Sequence, residues 1–187
     1  VDIAPKEGEP IRCRDHMAAL PYDGDCFEGS VGILRDISTE RQRRRELRYK
    51  TRAMDEAPTG IAMTDPSRAD NPMIYVNDAF VEMTGYDREE ALDRNCRFLQ
   101  GPETQTEAVE RLSDAIEAGE SATVTLQNYR KDGDPFWNRV SVAPLHDDDG
   151  EVARWVGFQE DVTERRRYRR RLERQNERLE RFAGGLS

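Results

Sequence analysis

The stretch DRNCRFLQGPETQ (residues 93–105) places a thiol, side-chain amides and a guanidinium beside a short apolar pair. A lone cysteine on a short helix is usually a small, inert core residue. Amides and a guanidinium, in contrast, are hydrogen-bonding groups that recognise polar ligands. The interpretation of this cysteine therefore depends on what the rest of the chain brings to the same place.

The composition is acidic and poor in lysine. The 187 residues carry 38 Asp and Glu against 29 Lys and Arg, a net charge of -9, and only three of the cations are lysines. An acidic excess keeps a protein soluble where salt screens charge, which fits a halophilic source of haloarchaeal type, while GC-rich codon bias also explains Arg in place of Lys. The negative charge disfavours nonspecific binding to nucleic acid or to an anionic membrane.

Targeting signals and cysteine usage indicate a reducing compartment. No apolar run is long enough to span a bilayer and no signal-peptide pattern opens the chain, so we expect a cytoplasmic protein. The cysteines Cys13, Cys26 and Cys96 are scattered and odd in number, which fits free thiols better than a disulfide framework. Cys13 lies near His16, but without a second pair of ligands this does not predict a metal site.

The chain contains an internal repeat. VGILRDISTERQRRR (residues 31–45) and VGFQEDVTERRRYRR (residues 156–170) share a strand-like start that runs into a basic helix. A repeat at this distance indicates tandem domains of one type. We therefore expect residues 1–38 to be the last strands of a preceding domain, with a turn at PYDGD (residues 21–25), and residues 39–56 to be a linker helix.

Short strands and helices alternate between the two basic helices. GIAMTD (residues 60–65) and PMIYVN (residues 72–77) predict strands, and DAFVEMTGY (residues 78–86) predicts a short helix that ends at its glycine. REEALDRN (residues 88–95) predicts another turn or two of helix. The apolar residues of PETQTEAVERLSDAIEAG (residues 102–119) have helical spacing, which predicts an amphipathic helix.

Three strands follow. SATVTLQNYR (residues 121–130), DPFWNRVSVAPL (residues 134–145) and EVARWVGFQED (residues 151–161) alternate in polarity. They are separated by Asp-Gly turns at residues 132–133 and 149–150. This pattern predicts an antiparallel meander.

Alternation along these strands points one carboxamide of each strand to the same face of the sheet. These are Asn128, Asn138 and Gln159. A buried carboxamide without partners costs about 1–3 kcal/mol, so three on one face favour a planar ligand with a polar edge, such as a flavin. Gly157 would allow the ring to approach the backbone closely. The alternative for each amide is a strand-end residue bonded to backbone or water.

The segment NCRFLQ (residues 95–100) resembles the signature of LOV domains, the blue-light-sensing, flavin-binding branch of the PAS fold. The resemblance extends over most of residues 58–161. Its other motifs are TDP (residues 64–66), DNP (residues 70–72), NDAF (residues 77–80), GPET (residues 101–104), NYRKDG (residues 128–133), FWN (residues 136–138) and VGFQ (residues 156–159).

The resemblance implies an α+β fold over residues 57–161. In this fold an antiparallel five-stranded sheet and short helices enclose a flavin, and signalling helices flank the domain at both ends. Residues 1–38 would then be the C-terminal remnant of a preceding PAS-like domain.

The resemblance also implies a role for each site residue. Cys96 would be the photoactive thiol, adding reversibly to flavin carbon C4a under blue light, and Gln159 beside ring nitrogen N5 would relay the change. Asn128 and Asn138 would hold the pyrimidine edge, and Arg97 the phosphate. The other residues that the resemblance assigns to the cofactor are Thr64, Asn71, Asn95, Leu99, Gln100 and Gly157. The apolar walls would come from Phe80, Leu99, Val109, Leu112, Val140 and Val142, although ordinary core packing explains these equally well.

Two residues depart from the family pattern. Asp93 stands where the family usually has Gly. Ser113 stands where many members carry a second phosphate-binding Arg, so the phosphate would rely on Arg97 alone or be reached by Arg111. We expect FMN as the cofactor, because no long insertion follows the Cys96 helix to accommodate an adenine moiety; riboflavin and FAD are the alternatives.

The C-terminal helix predicts dimerisation. Its apolar stripe follows alternating spacings of four and three, the seam of a parallel coiled coil, so residues 162–187 would form a coiled-coil signalling helix of a homodimer. The stripe consists of Tyr168, Leu172, Gln175, Leu179, Phe182 and Leu186. NERLERFAGGLS (residues 176–187) resembles the lead-in to the phosphoacceptor helix of sensor histidine kinases. We therefore expect a sensory fragment without its catalytic effector.

Two other functions remain open at this point. One is a flavin-based redox or small-ligand PAS sensor in which Cys96 is incidental. The other is a dimerisation module that feeds a transcription regulator.

Overall fold

The computed structural model describes residues 2–3, 11–19 and 30–184. They belong to two compact units that divide between Ala53 and Met54. Within the described residues, no helix combines the length and the apolar character that crossing a bilayer requires.

The first unit is a small antiparallel sheet followed by a helix. Strands β1 (Asp2–Ile3), β2 (Ile11–Ala19) and β3 (Ser30–Asp36) pair in the order β1-β2-β3, and helix α1 spans Ser38–Asp55. The predicted passage from a strand into a basic helix is thus observed. The turn predicted at PYDGD (residues 21–25), like Cys26, lies outside the described residues. That this unit is the remnant of a preceding domain stays a prediction.

The second unit is a mixed domain of helices and one sheet. Its elements in chain order are β4 (Gly60–Thr64), β5 (Met73–Val76), α2 (Asp78–Thr84), α3 (Arg88–Ala91), a 3₁₀ helix (Cys96–Leu99), α4 (Thr106–Ala118), β6 (Ala122–Tyr129), β7 (Pro135–His146), β8 (Val152–Asp161) and α5 (Thr163–Gly184). The five strands have the order β5-β4-β8-β7-β6, and every neighbouring pair is antiparallel. The predicted α+β fold with a five-stranded antiparallel sheet is confirmed.

One buried asparagine joins the N-terminus of α2 to the start of β4. Asn77 caps α2, its Oδ1 accepting from the backbone N–H of Phe80 at 3.0 Å and from that of Ile61 in β4 at 2.8 Å. Its Nδ2 donates to the carbonyl of Thr59 at 2.9 Å. The helix ends where the sequence predicted, because Gly85 takes a left-handed φ of 76°. This cap leaves the polar groups of a fully buried residue satisfied.

Two predicted helices are shorter than their patterns indicated. The helix predicted over residues 88–95 ends at Ala91, because Asp93 adopts a left-handed φ of 59°. The helix predicted over residues 102–119 begins only at Thr106. The preceding GPET segment instead folds against β6, where the Thr104 hydroxyl donates to the Gln127 carbonyl at 2.6 Å. Gly101 is required there, since a Cβ would lie 2.3 Å from the Tyr129 ring.

The apolar core lies under β4, β5 and the short helices. Its buried members are Ala62, Met73, Val76, Phe80, Ala91 and Leu99. The cavity that the domain encloses lies beside this cluster, and Ala62 and Leu99 border both.

Candidate functional site

A cavity of about 520 Å³ lies between the sheet and two of the helices that connect its strands. Strands β4, β6, β7 and β8 supply one wall, and the 3₁₀ helix and α4 supply the other. A volume of this size is typical of small-molecule and cofactor sites.

Almost all of the predicted site residues meet at this cavity. Those that line it are Thr64, Asn71, Asn95, Cys96, Arg97, Leu99, Gln100, Asn128, Gly157 and Gln159. Asn138 is not among the lining residues, but it is fully buried behind them and bonds to two of them. Residues separated by almost a hundred positions in the chain are therefore brought to one place.

Of the six side chains predicted for the apolar walls, five line the cavity and one does not. Val109, Leu112, Val140 and Val142 line the cavity, as does Leu99, which also belongs to the core. Phe80 does not line it. It projects from α2 into the solid core cluster and is completely shielded there, because α2 packs on β4 away from the cavity.

The three carboxamides form a connected row on the inner face of the sheet. Asn138 Nδ2 donates to Asn128 Oδ1 and to Gln159 Oε1, each at 2.9 Å. Asn128 Nδ2 in turn donates to the Leu99 carbonyl at 3.1 Å, which ties the row to the end of the 3₁₀ helix. Exposure is 4% or less for all three side chains. Backbone, water or a ligand were the partners predicted for these amides from the sequence. The structure shows that the amides also bond to one another.

Among the residues that the structure describes, three buried side-chain polar atoms nevertheless have no hydrogen-bond partner. They are Thr64 Oγ1, Asn71 Oδ1 and Asn138 Oδ1. Each such atom costs about 1–3 kcal/mol when it stays unpaired in a folded protein. Since Thr64 and Asn71 line the cavity, a ligand with donors and acceptors on its edge would remove much of this cost.

Gly157 opens the floor of the cavity down to the backbone of β8. A Cβ added there would meet only the Ala62 carbonyl oxygen at 3.8 Å and Val142 Cγ1 at 4.0 Å, which are ordinary contact distances. The protein therefore does not fill the space above this glycine, and a flat ring could lie against the strand. Together with the unpaired polar atoms, this makes the residues present fit a flavin.

Cys96 is the first residue of the 3₁₀ helix and lines the cavity. Asn95 fixes the start of that helix: its Oδ1 accepts from the Arg97 N–H at 3.0 Å, and its Nδ2 donates to the Asp70 carbonyl at 2.6 Å. Burial raises the pKa of the Cys96 thiol to about 11, against the smaller lowering effects of a backbone hydrogen bond and of the Arg97 charge. Part of the side chain is accessible, but it opens onto the cavity, so the thiol is protonated at neutral pH.

Two arginine–aspartate ion pairs lie at the cavity, and three of their four residues line it. Arg68 Nη2 pairs with Asp93 Oδ1 at 2.7 Å, and Arg97 pairs with Asp70. We call these four residues the charged rim. The left-handed φ of Asp93 explains why glycine suits this position, and aspartate is one of the few other residues that tolerate it.

Sequence reasoning missed several lining residues. Arg68 and Asp70 lie in the loop whose TDP and DNP motifs were recognised, yet no role was assigned to them. Glu117 lies on α4 one turn after Ser113, so helical spacing places both residues on the face that lines the cavity. Trp155 lies two residues before Gly157 on β8 and was not predicted to be a site residue, although it is 4% exposed and lines the cavity.

The end of β8 is fastened to β7 where helix α5 begins. The Thr163 hydroxyl accepts from the Trp137 N–H at 2.8 Å, and the Val162 N–H donates to the Trp137 carbonyl at 2.8 Å. Arg130 forms an ion pair with Asp161, and the Arg166 guanidinium lies 3.9 Å from the centre of the Trp137 ring. The strand that carries Gln159 is thus rigidly joined to the first turn of α5.

Comparisons with known proteins agree with this geometry. A family model described as PAS domain matches residues 58–164. A solved structure concerned with the mechanism of a light-oxygen-voltage domain and a flavin analogue is 43% identical, with a TM-score of 0.60, and the match covers 69% of this chain and 96% of that one. The chain belongs to the light-oxygen-voltage (LOV) branch of the PAS family. Its five-stranded sheet is thus the PAS/LOV fold.

Two longer relatives match most of this chain. Over 147 residues the chain is 42% identical to the bacterioopsin transcriptional activator of Halobacterium salinarum, covering 79% of this chain and 21% of that protein. Over 115 residues it is 48% identical to blue-light-activated histidine kinase 1 of Erythrobacter litoralis, covering 62% of this chain and 32% of that protein. The LOV chain therefore spans only about a fifth to a third of these relatives.

Proposed function

We propose that this LOV chain is a blue-light photoreceptor module that binds a flavin in the cavity over β6, β7 and β8. FMN is the first candidate for this flavin. The observation that carries the proposal is the convergence of a protonated thiol and a buried row of carboxamides on one cavity that still contains unpaired polar atoms. Ordinary core packing does not require any of these groups.

Each group in the cavity then has a task. Asn128 and Asn138 would hold the pyrimidine edge of the flavin, because the row leaves Asn138 Oδ1 ready to accept a hydrogen bond. Thr64 and Asn71 would satisfy their own unpaired oxygens on the same ligand. The other proposed contacts are Asn95 and Gln100 with the polar side chain and ring, Arg97 with the phosphate, and Leu99 and Gly157 with the ring faces.

Cys96 would perform the photochemical step. A bound flavin would supply blue-light absorption and an electrophilic ring carbon, C4a. Cys96 Sγ would bond to C4a while the thiol proton passes to N5, so the step needs no external oxidant or reductant, and breaking the same bond in the dark would return the proton to sulfur. The raised pKa supports this assignment, because the thiol holds its proton until the reaction takes place.

Gln159 would pass the change to helix α5. Its Oε1 is bonded to Asn138, and a new N–H donor on the ligand would favour a rearrangement of this amide. Two residues further along β8, Asp161 lies on the same side of the strand and forms the ion pair at the start of α5. A movement at Gln159 would therefore reach the start of α5 through two residues of strand backbone.

Helix α5 would act through a homodimer and an effector. Tyr168 and Leu172, the first members of the predicted coiled-coil stripe, are 65% and 41% exposed, as they would be before a second helix covers them. The Erythrobacter relative favours a histidine kinase as the effector. The Halobacterium relative, whose name is that of a transcriptional activator, supports transcriptional regulation as the second candidate.

The bleaching of bound flavin tests the proposed function. The purified protein should be yellow, lose its blue absorbance band under blue light and recover it in the dark. Cys96→Ala should stay yellow without bleaching, while the matched control Cys13→Ala, in the first unit, should bleach normally. Bleaching that persists in Cys96→Ala would replace the thiol mechanism by flavin redox sensing. A protein that stays colourless after reconstitution with FMN or riboflavin would refute flavin binding altogether.

The relay is tested separately. Gln159→Leu should still bleach, but the light-dark difference in amide hydrogen exchange of α5 should be lost. Gln127→Leu, which removes an amide from the opposite face of β6, is the control and should keep that difference. A normal light-driven change in α5 of Gln159→Leu would exclude this amide as the relay.

A further inference from the structure

The loop between β4 and β5 brings a second arginine to the cavity that Arg97 lines. Arg68 lines the cavity from this loop, and Arg97 lines it from the 3₁₀ helix. The two segments are in contact, since Asn95 Nδ2 donates to the Asp70 carbonyl at 2.6 Å. Two arginines thus line the cavity from two segments that are hydrogen-bonded to each other.

Helix α4 supplies no cation at this place. The polar side chains that it contributes to the lining are those of Ser113, which is neutral, and Glu117, which is acidic. Arg111, which sequence reasoning considered as a phosphate ligand, is exposed and is not among the lining residues. A phosphate bound here would therefore find its positive charge in the loop and the 3₁₀ helix.

Both rim arginines are held by partners that an anion can replace. The side chains of the Arg68–Asp93 pair are 48% and 73% exposed, and those of the Arg97–Asp70 pair are 59% and 61% exposed. Exposed ion pairs contribute little to stability, so exchanging a carboxylate for a phosphate disturbs the fold little. Each guanidinium also carries five N–H donors in a planar fork that suits phosphate oxygens.

We propose that Arg68 is the second phosphate-binding cation of this LOV domain and replaces the arginine that Ser113 lacks. The phosphate of FMN is then held between Arg68 and Arg97, so the β4–β5 loop joins the 3₁₀ helix in selecting FMN over riboflavin. This inference rests on the proposed function, because it requires a flavin in the cavity. It assigns to Arg68 the part of this specificity that helix α4 does not supply, beside the part carried by Arg97 of the signature segment.

The test compares two flavins that differ only in the phosphate. Apoprotein is titrated with FMN and with riboflavin, following the quenching of flavin fluorescence. Arg68→Gln should weaken FMN binding about tenfold and change riboflavin binding by less than about twofold, as expected for the loss of one charge-assisted contact. Arg111→Gln, which removes the same charge from α4, should change neither affinity.

Asp93→Asn separates phosphate binding from a structural role of the ion pair. Asparagine tolerates the left-handed backbone at this position, and the substitution frees Arg68 without removing it. FMN affinity should be retained or increased. A loss of affinity for both flavins in both Arg68→Gln and Asp93→Asn would show that the pair only supports the loop, and would overturn the proposal.

The remaining outcomes are also decisive. Equal binding of FMN by the wild type and Arg68→Gln would overturn the proposal, as would equal binding of FMN and riboflavin by the wild type, and both would leave flavin binding intact. Binding of neither flavin by the wild type would instead refute the proposed function.

Discussion

The buried carboxamide row and the charged rim of the cavity are built from opposite kinds of interaction. On the sheet, a row of carboxamides is almost fully buried and bonds through Asn138 to both of its neighbours. At the charged rim, arginine and aspartate side chains pair while remaining about half exposed or more. A hydrogen bond in the shielded row is strong and costly to leave unmade, whereas an ion pair at the rim is screened by water.

This difference indicates how the site divides its work. The buried row presents donors and acceptors that a ligand must match, so we expect it to determine whether a flavin ring binds at all. The rim can exchange partners at little cost, so we expect it to determine which form of the flavin is preferred. Substitutions in the row should therefore have larger effects than substitutions at the rim.

Asn138→Leu should produce the largest effect. It removes the donor to Asn128 Oδ1 and Gln159 Oε1 and also removes the acceptor proposed for the flavin edge. We expect flavin affinity to fall about 100-fold, or nearly 3 kcal/mol. Isothermal titration of the apoprotein with FMN measures this. Val140→Ala, on the same face of β7, is the control and should lose much less; equal losses would mean that the amides only fill space.

The Cys96 thiol should make the apoprotein sensitive to alkaline pH. Its folded pKa of about 11 lies above the ordinary value of 9.0, so the folded state holds the proton more tightly than the unfolded chain does. This stability is present below pH 9 and is lost as the pH rises to about 11, by about 2 to 3 kcal/mol. Chemical denaturation of wild type and Cys96→Ala across this range measures the difference. Parallel pH profiles would contradict the burial of the thiol.

Gly157→Ala should separate ligand binding from folding. The added methyl group meets only atoms at 3.8 Å or beyond, so the unfolding free energy of the apoprotein should change by less than about 1 kcal/mol. The same methyl group projects towards the ring, and flavin affinity should fall about tenfold. Thermal unfolding and FMN titration of one preparation provide both values. Unchanged affinity would mean that the ligand does not approach β8 here.

Asp70→Asn, a substitution at the charged rim, should produce the smallest effect. It removes the carboxylate that pairs with Arg97, and asparagine accepts the left-handed φ of 68° at this residue. Stability should change by less than about 1 kcal/mol, and FMN affinity should increase slightly because the guanidinium is free. The increase should disappear at high salt and should not occur with riboflavin. A large loss of stability would show that the rim is as rigid as the buried row.

Much of the fold followed from local patterns in the sequence. Alternation and the Asp-Gly turns predicted β6, β7 and β8, and they placed Asn128, Asn138 and Gln159 on one face. Because successive side chains of a strand point to opposite faces of the sheet, the residues of this cavity wall could be predicted without a structure. Resemblance to LOV domains added Cys96 and its neighbours.

The remainder depended on tertiary contacts. The left-handed Asp93 shortened α3, and Thr104 directed its segment to β6 in place of a helix, neither of which helical spacing reveals. Phe80 was predicted to face the cavity because apolar patterning does not distinguish a core from a ligand pocket. Arg68 was missed because a polar loop residue carries no periodic signal, and only the folded loop brings it to the cavity.

The infrared S–H stretching band of Cys96 tests the central claim most directly. The raised pKa requires a protonated thiol in the dark, so the flavin-loaded protein should show this band, lose it under blue light together with the blue absorbance, and regain both in the dark at one rate. Cys96→Ala should show no light-dependent change in this band. A flavin that bleaches while the S–H band of the wild type stays constant would contradict the account.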